Sequence, residues 1–152
     1  SNLPGLRSGY VAGNADLIRQ FLLYRTYHGS AMPVHAQKLS TLAWSDERHV
    51  IENRALYRTK TKAFVQTLAP VWPITPPAAS FYLWPETPID DEQFTQNLMQ
   101  SCNIKVLPGQ YLSRTVDGVN PGVGRVRIAL VAEQSDCIEA AERIKVCFQD
   151  LG

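Results

Sequence analysis

Leu3-Pro4-Gly5-Leu6-Arg7-Ser8-Gly9-Tyr10 sets one arginine two residues from a glycine on either side. A backbone without Cβ atoms at Gly5 and Gly9 can come close to a ligand. The planar guanidinium fork of Arg7 suits a phosphate dianion better than a lysine ammonium would. A second arginine context lies near the other end, Gly124-Arg125-Val126-Arg127-Ile128-Ala129. Strand alternation puts Arg125 and Arg127 on one face, with Val126 and Ile128 on the other. An arginine on an otherwise apolar strand beside a glycine-rich approach is a candidate carboxylate receptor. Taken singly, either arginine reads as an ordinary surface cation. Their order and separation carry more.

Between these two stretches the text reads mostly as helix, then as mixed layers. Gly9 to Ala12 reads as a short β segment after the Pro-Gly turn. From Asn14 or Asp16, either able to cap, a helix carries Leu17, Ile18, Phe21 and Leu22 and should fail near Gly29. A second helix is expected from about Pro33 to Trp44. A third opens at Ser45-Asp46-Glu47 and runs to about Leu68. Its Arg48, Arg54, Arg58, Lys60 and Lys62 form a solvated or partly interfacial face. Pro70, Pro73, Pro76 and Pro77 then impose an extended, non-helical passage. Beyond it come candidate strands at Ser80 to Trp84, Ile104 to Pro108 and Val126 to Val131. Helices of about Asp90 to Ser101 and Ser135 to Asp150 alternate with them. Asp90 and Asp91 suit the positive end of the first, and Ser135 or Asp136 caps the second. The second half is therefore β-α-β-β-α, a small α/β layer with helices on one face.

Composition narrows the function classes. Of the 152 residues 45% are apolar and 19% charged, and the formal net charge is +1. That is the make-up of a core-forming globular chain. It offers no global field for nucleic acid or an anionic membrane, and no apolar run nears a membrane span. Neither nucleic acid nor a membrane is expected as a partner. His28, His35 and His49 lack metal-ligand spacing, so no metal is expected. Gly122 and Gly124 precede no helix, which excludes a dinucleotide loop. Cys102, Cys137 and Cys147 include no CxxC pair, and Cys137 and Cys147 lie too far apart on one helix to bridge. They read as buried reduced thiols of a cytoplasmic protein. The opening Ser1-Asn2-Leu3 lacks an initiating Met and any signal-like stretch, as expected for a piece of a longer polypeptide.

The two arginine contexts together resemble the fold type I, class I/II pyridoxal-phosphate aminotransferases. Leu3 to Tyr10 is similar to the segment that follows the family's Schiff-base lysine, which would lie two residues before Ser1. Val126-Arg127-Ile128-Ala129 is similar to the family's Val-Arg-Ile strand, and Val106-Leu107-Pro108-Gly109 to its small-domain strand and turn. Tyr27-His28-Gly29-Ser30-Ala31-Met32-Pro33, Ser80-Phe81-Tyr82-Leu83-Trp84, Leu107 to Arg114 and Asn120-Pro121-Gly122 resemble bacterial succinyldiaminopimelate aminotransferases.

The resemblance implies an α/β fold made of the C-terminal small domain, residues 45–152, and the helical tail of the large, cofactor-binding domain, residues 1–44. It implies pyridoxal 5'-phosphate as cofactor, with Arg7 on its phosphate and Arg127 on the substrate α-carboxylate. Arg125 competes for that second role. The implied reaction moves an amino group between N-succinyl-LL-2,6-diaminopimelate and 2-oxoglutarate, in lysine and diaminopimelate biosynthesis. Amino-acid and keto-acid substrates and a homodimer are the implied partners, with Tyr27 to Ser30 near the neighbouring subunit. Arg25, His28, Ser30, Tyr111 and Arg114 are candidates for further substrate carboxylates. No catalytic residue is assigned, since the lysine lies outside these residues, and alone they are expected to be inactive. Three other readings stay open: another class I aminotransferase, a ligand-sensing aminotransferase-like module of a regulator, and an independent α/β binding protein. If the large domain is missing, Leu17, Phe21 and Leu22 should be exposed.

Overall fold

Proline at the first position and a left-handed residue at the end confine Pro4–Leu6 to a single 3-10 turn. The N–H of Arg7 closes it on the Pro4 carbonyl at 3.1 Å. The computed structural model describes residues 3–150. It divides into two units, Ser1–Arg54 and Ala55–Gly152, each described by itself.

In the first unit, Asn14 and not Asp16 caps α1 (Ala15–His28). Its Oδ1 accepts from the backbone N–H groups of Asp16 at 2.9 Å and Leu17 at 3.3 Å, satisfying donors a helix start leaves free. Helix α2 (Val34–Ser45) follows Pro33, and Gln37 Nε2 donates back to the Met32 carbonyl. Helix α3 (Arg48–Leu68) begins in this unit and ends in the second. Asp46 caps it, accepting from the Arg48 N–H at 3.0 Å and facing His49 Nδ1 at 3.0 Å. The bond to His49, then that to the Arg48 N–H, holds the Asp46 carboxyl below its usual pKa. Helix α1 buries no residue, and Leu17, Phe21 and Leu22 are 65%, 43% and 65% exposed, as expected. The β segment expected at Gly9 to Ala12 is not a strand. Its residues are exposed, and no described residue offers the ladder partner that extended backbone needs.

The second unit holds the expected order: β1 (Tyr82–Leu83), α4 (Asp91–Cys102), β2 (Leu107–Pro108), β3 (Val126–Ala129) and α5 (Gln134–Asp150). The strands form one antiparallel sheet with β3 in the middle. Tyr82 pairs with Ala129 and Leu83 with Ile128, while Leu107 pairs with Arg127 and Pro108 with Val126. Each strand is shorter than its apolar run. Pro85 and Pro108 lack the donor a longer ladder requires.

One sheet face is dry. Leu83, Val126 and Ile128 join Phe64 and Leu68 of α3, Phe94 and Leu98 of α4, and Ala141 and Ile144 of α5 in a single core. Trp72, on the proline-rich passage, closes its end. Its ring lies 5.1 Å from Phe94 and 5.3 Å from Phe148, and its Nε1 donates to the Glu86 carbonyl. These are aromatic contacts at favourable spacing, with the indole N–H satisfied.

The cysteine expectation is corrected. Cys102 at the end of α4 is joined to Cys147 on α5 as a disulfide, Cα atoms 6.8 Å apart. The packing of α4 on α5 brings together residues 45 apart in sequence. Only Cys137 fits the expected buried thiol. Burial raises its pKa, partly offset by Lys60.

Candidate functional site

Arg127 sits at the centre of the sheet's open face. Strand alternation buries Val126 and Ile128 and leaves Arg127 half-buried on the other side. Leu107 of β2 lies directly across from it. On the β1 side, its guanidinium carbon stands 4.7 Å from the centroid of the Tyr82 ring. Arg127 has no carboxylate within ion-pair distance among the described residues.

Arg125, two residues earlier, is engaged. Its Nη2 donates to Glu86 Oε1 at 2.6 Å and its Nη1 to the Trp84 carbonyl at 3.2 Å. A guanidinium holding a carboxylate and a carbonyl has spent much of its donor fork. The two arginines that sequence alternation puts on one face are thus not equivalent. Arg125 ties β3 to the segment after β1, and Arg127 keeps its donors.

The turns on either side of β3's start are held by a buried aspartate. Asp91 is fully buried. Its Oδ2 accepts from the Gln110 backbone N–H at 3.1 Å, and its Oδ1 from Gln110 Nε2 and the Gly124 N–H, each at 3.2 Å. One carboxylate thereby joins the start of α4 to the turn after β2 and to the turn before β3. Asp90 and Asp91, expected to serve the helix end alike, divide the work. Asp90 is the cap, accepting from the Glu92 and Gln93 N–H groups.

Two motifs singled out in the sequence, Leu107 to Arg114 and Asn120-Pro121-Gly122, meet here. Gly109 and Gly122 cross backbone to backbone, and the Gly109 N–H donates to the Arg125 carbonyl at 2.7 Å. A Cβ at Gly109 would lie 2.7 Å from the Arg125 carbonyl oxygen and closer still to that of Gly122. Asn120 Oδ1 accepts from the Gly122 N–H at 2.9 Å and from the Ser113 hydroxyl. Tyr111 and Arg114 project outward from this region, both exposed. Glu92 raises the Tyr111 phenol above its ordinary pKa, through a side-chain hydrogen bond and its charge, with the charges of Asp91 and Asp90 acting the same way.

Arg7 belongs to the first unit. It is exposed, holds a left-handed conformation (φ 50°, ψ 33°), and makes no ion pair among the described residues. That conformation is uncommon for a residue with a side chain. An open cavity of about 390 Å³ begins beside it, lined by Ser8, Tyr10, Met32, Ser40 and Trp44 among others. Arg25 and His28 are occupied locally. Arg25 Nη1 donates to the His28 carbonyl at 3.4 Å, and the His28 ring stacks on Tyr24 at 4.4 Å. Ser30 is exposed. Among the described residues no group of His, Cys, Asp and Glu could hold a metal ion. No described helix is long and apolar enough to cross a membrane.

Residues 1–144 match the family described as aminotransferase class I and II. The chain belongs to this family. An aminotransferase of Neisseria meningitidis superposes with a TM-score of 0.84 at 52% identity, over 97% of this chain and 38% of that one. L-glutamine--4-(methylsulfanyl)-2-oxobutanoate aminotransferase of Bacillus subtilis is 29% identical, over 94% of this chain and 35% of its own length. The "probable N-succinyldiaminopimelate aminotransferase" of Thermus thermophilus superposes with a TM-score of 0.72 at 26% identity, over 89% of this chain and 36% of that one. The chain therefore spans little more than a third of the length of these aminotransferases. Its fold is that of a C-terminal portion of a fold type I aminotransferase, whose family depends on pyridoxal 5'-phosphate.

Sequence motifs single out Arg7 and Arg127, which lie in different units of the chain. Sequence alone assigns no role to Tyr82, which lies beside Arg127, or to Glu86, which pairs with Arg125, and takes Asp91 for a helix-end acid only. Only Tyr82 left a signal, since the alternation of Ser80 to Trp84 opposes it to buried Leu83.

Proposed function

We propose that this chain is the anion-gripping C-terminal portion of a pyridoxal-phosphate aminotransferase, with Arg127 as receptor for the substrate α-carboxylate. The observation that carries this is the contrast on β3. Arg125 is spent on Glu86, whereas Arg127 is half-buried beside Tyr82 with no carboxylate partner among the described residues. A bidentate guanidinium fixes a carboxylate in position and rotation. It thereby turns the substrate's Cα–H bond in one direction.

The cofactor fits the residues present at its phosphate end. Arg7, on an exposed turn beside Gly5, Ser8 and Gly9, makes no ion pair among the described residues and offers the donor set a phosphate dianion asks for. When bound, pyridoxal phosphate supplies the electron sink for chemistry at the α-carbon. The lysine that holds the cofactor and moves the α-proton is supplied, on this reading, by a longer polypeptide. Residues 1–44 are the tail of its large domain and residues 45–152 its small domain. In that intact transaminase, Arg7→Ala is expected to weaken cofactor retention on the order of 10- to 100-fold, measured by dialysis. Unchanged retention removes the assignment.

For the substrate, we propose N-succinyl-LL-2,6-diaminopimelate as amino donor and 2-oxoglutarate as acceptor. The enzyme would be a cytoplasmic homodimer on the route to diaminopimelate and lysine. The motif strings around Tyr27 to Pro33 and Leu107 to Arg114, and the likeness to the Thermus protein, support this choice. Arg25, His28, Ser30, Tyr111 and Arg114 are the proposed contacts for the distal carboxylates. The likeness to the Bacillus enzyme favours a second reading, the same reaction with another amino donor. Steady-state assays of the intact transaminase with 2-oxoglutarate and each donor separate the two. The first reading expects kcat/KM for the succinylated donor to exceed that for glutamine by about 100-fold or more, the size of discrimination that placed charges provide.

A further inference from the structure

We infer that Tyr82 is the positioning residue for Arg127, its ring holding the guanidinium at the angle in which the carboxylate is received. The inference rests on the assignment of Arg127 as carboxylate receptor and goes a step beyond it. The register fixes the pair. Tyr82 stands opposite Ala129, so it shares the open sheet face with Arg127 as its diagonal neighbour. Diagonal cross-strand neighbours lie within reach of aromatic and long side chains. The guanidinium carbon is 4.7 Å from the ring centroid, inside the range where the ring's negative face attracts a cation.

Tyr82 is itself braced. Its ring centroid lies 4.2 Å from that of Phe81, which lies 5.6 Å from that of Tyr57 on α3. Strand β1 is anchored beneath by Leu83, fully buried in the core. A long arginine side chain loses rotamer freedom when it binds, and that cost opposes affinity. A braced ring against the guanidinium bears part of it before the ligand arrives. It does so without consuming the N–H donors, which is what separates Tyr82 from Glu86. The carboxylate at position 86 neutralises Arg125; the ring at position 82 steers Arg127 and leaves its charge available.

The test uses the intact, cofactor-loaded transaminase with four variants: Tyr82→Leu, Tyr82→Phe, Arg127→Ala and the Tyr82→Leu/Arg127→Ala pair. Two readouts are taken. One is KM and kcat for 2-oxoglutarate; the other is the dissociation constant of glutarate, a dicarboxylate that cannot react. Tyr82→Leu is expected to raise KM and the glutarate constant roughly 3- to 30-fold, the range of a partly desolvated cation–π contact, with kcat little changed. Tyr82→Phe keeps the ring and should bind as the parent does. In the double variant the leucine should add nothing to the loss caused by Arg127→Ala. Parental glutarate binding in Tyr82→Leu overturns the inference. So does an equal loss in Tyr82→Phe, or full additivity in the pair. Parental binding in Arg127→Ala instead overturns the receptor assignment itself, so the two failures are distinguishable.

Discussion

Replacing Arg127 by alanine in the intact transaminase is expected to lower kcat/KM for both substrates by about 100- to 1000-fold. Both carry an α-carboxylate, so both should suffer. Truncating one side of a desolvated, hydrogen-bonded charge pair costs about 2–5 kcal/mol, which spans that range of rate. Most of the loss should appear in KM, because the guanidinium binds the ground state too. Arg127→Lys keeps the charge but loses the fork and should fall between parent and alanine. Arg125→Ala is the internal comparison. Since Arg125 is already paired with Glu86, its loss should cost stability before it costs affinity. If Arg125→Ala matched the kinetic loss of Arg127→Ala, the roles drawn from β3 would have to be exchanged.

The second large effect concerns stability. Asp91→Ala removes the acceptor of three N–H groups at a fully buried position and should destabilise the protein by about 3 kcal/mol or more. Its neighbour provides the contrast. Asp90→Ala removes an exposed helix cap, for which about 1 kcal/mol is typical. Asp91→Asn, which retains one acceptor oxygen, should fall between them. Urea midpoints of the three variants at constant slope measure the order. Equal midpoints for Asp90→Ala and Asp91→Ala would show that the buried acid does not join the turns at residues 110 and 124.

Much of this architecture was legible in the sequence because it is written in local signals. The five helices follow apolar spacing, Asn14 and Asp90 are ordinary caps, and the alternation of Val126 to Ala129 separates the core face from the arginine face. What escaped depends on contacts between distant positions. Asp90 and Asp91 are identical in type and adjacent, and only Gln110 and Gly124 make one of them a buried hub. Arg125 and Arg127 look interchangeable until Glu86, 39 residues from Arg125, takes one of them. Cys102 and Cys147 meet only because α4 lies on α5. The segment Gly9 to Ala12 failed in the opposite sense. Its residues favour extension, but a strand is a property of a pair.

The crossing of Gly109 and Gly122 constrains how this surface can diverge. A side chain at either position strikes the other's carbonyl, and Gly109 also faces the Arg125 carbonyl, so neither replacement can be relieved by moving a flexible group. Changing both at once compounds the collision and cannot cure it. A replacement at either position requires the backbone itself to move. The exposed positions beside it, Tyr111, Leu112, Arg114 and Val123, carry no such obligation. Variation on this surface is therefore channelled outward into those side chains, over a crossing that holds its backbone in place.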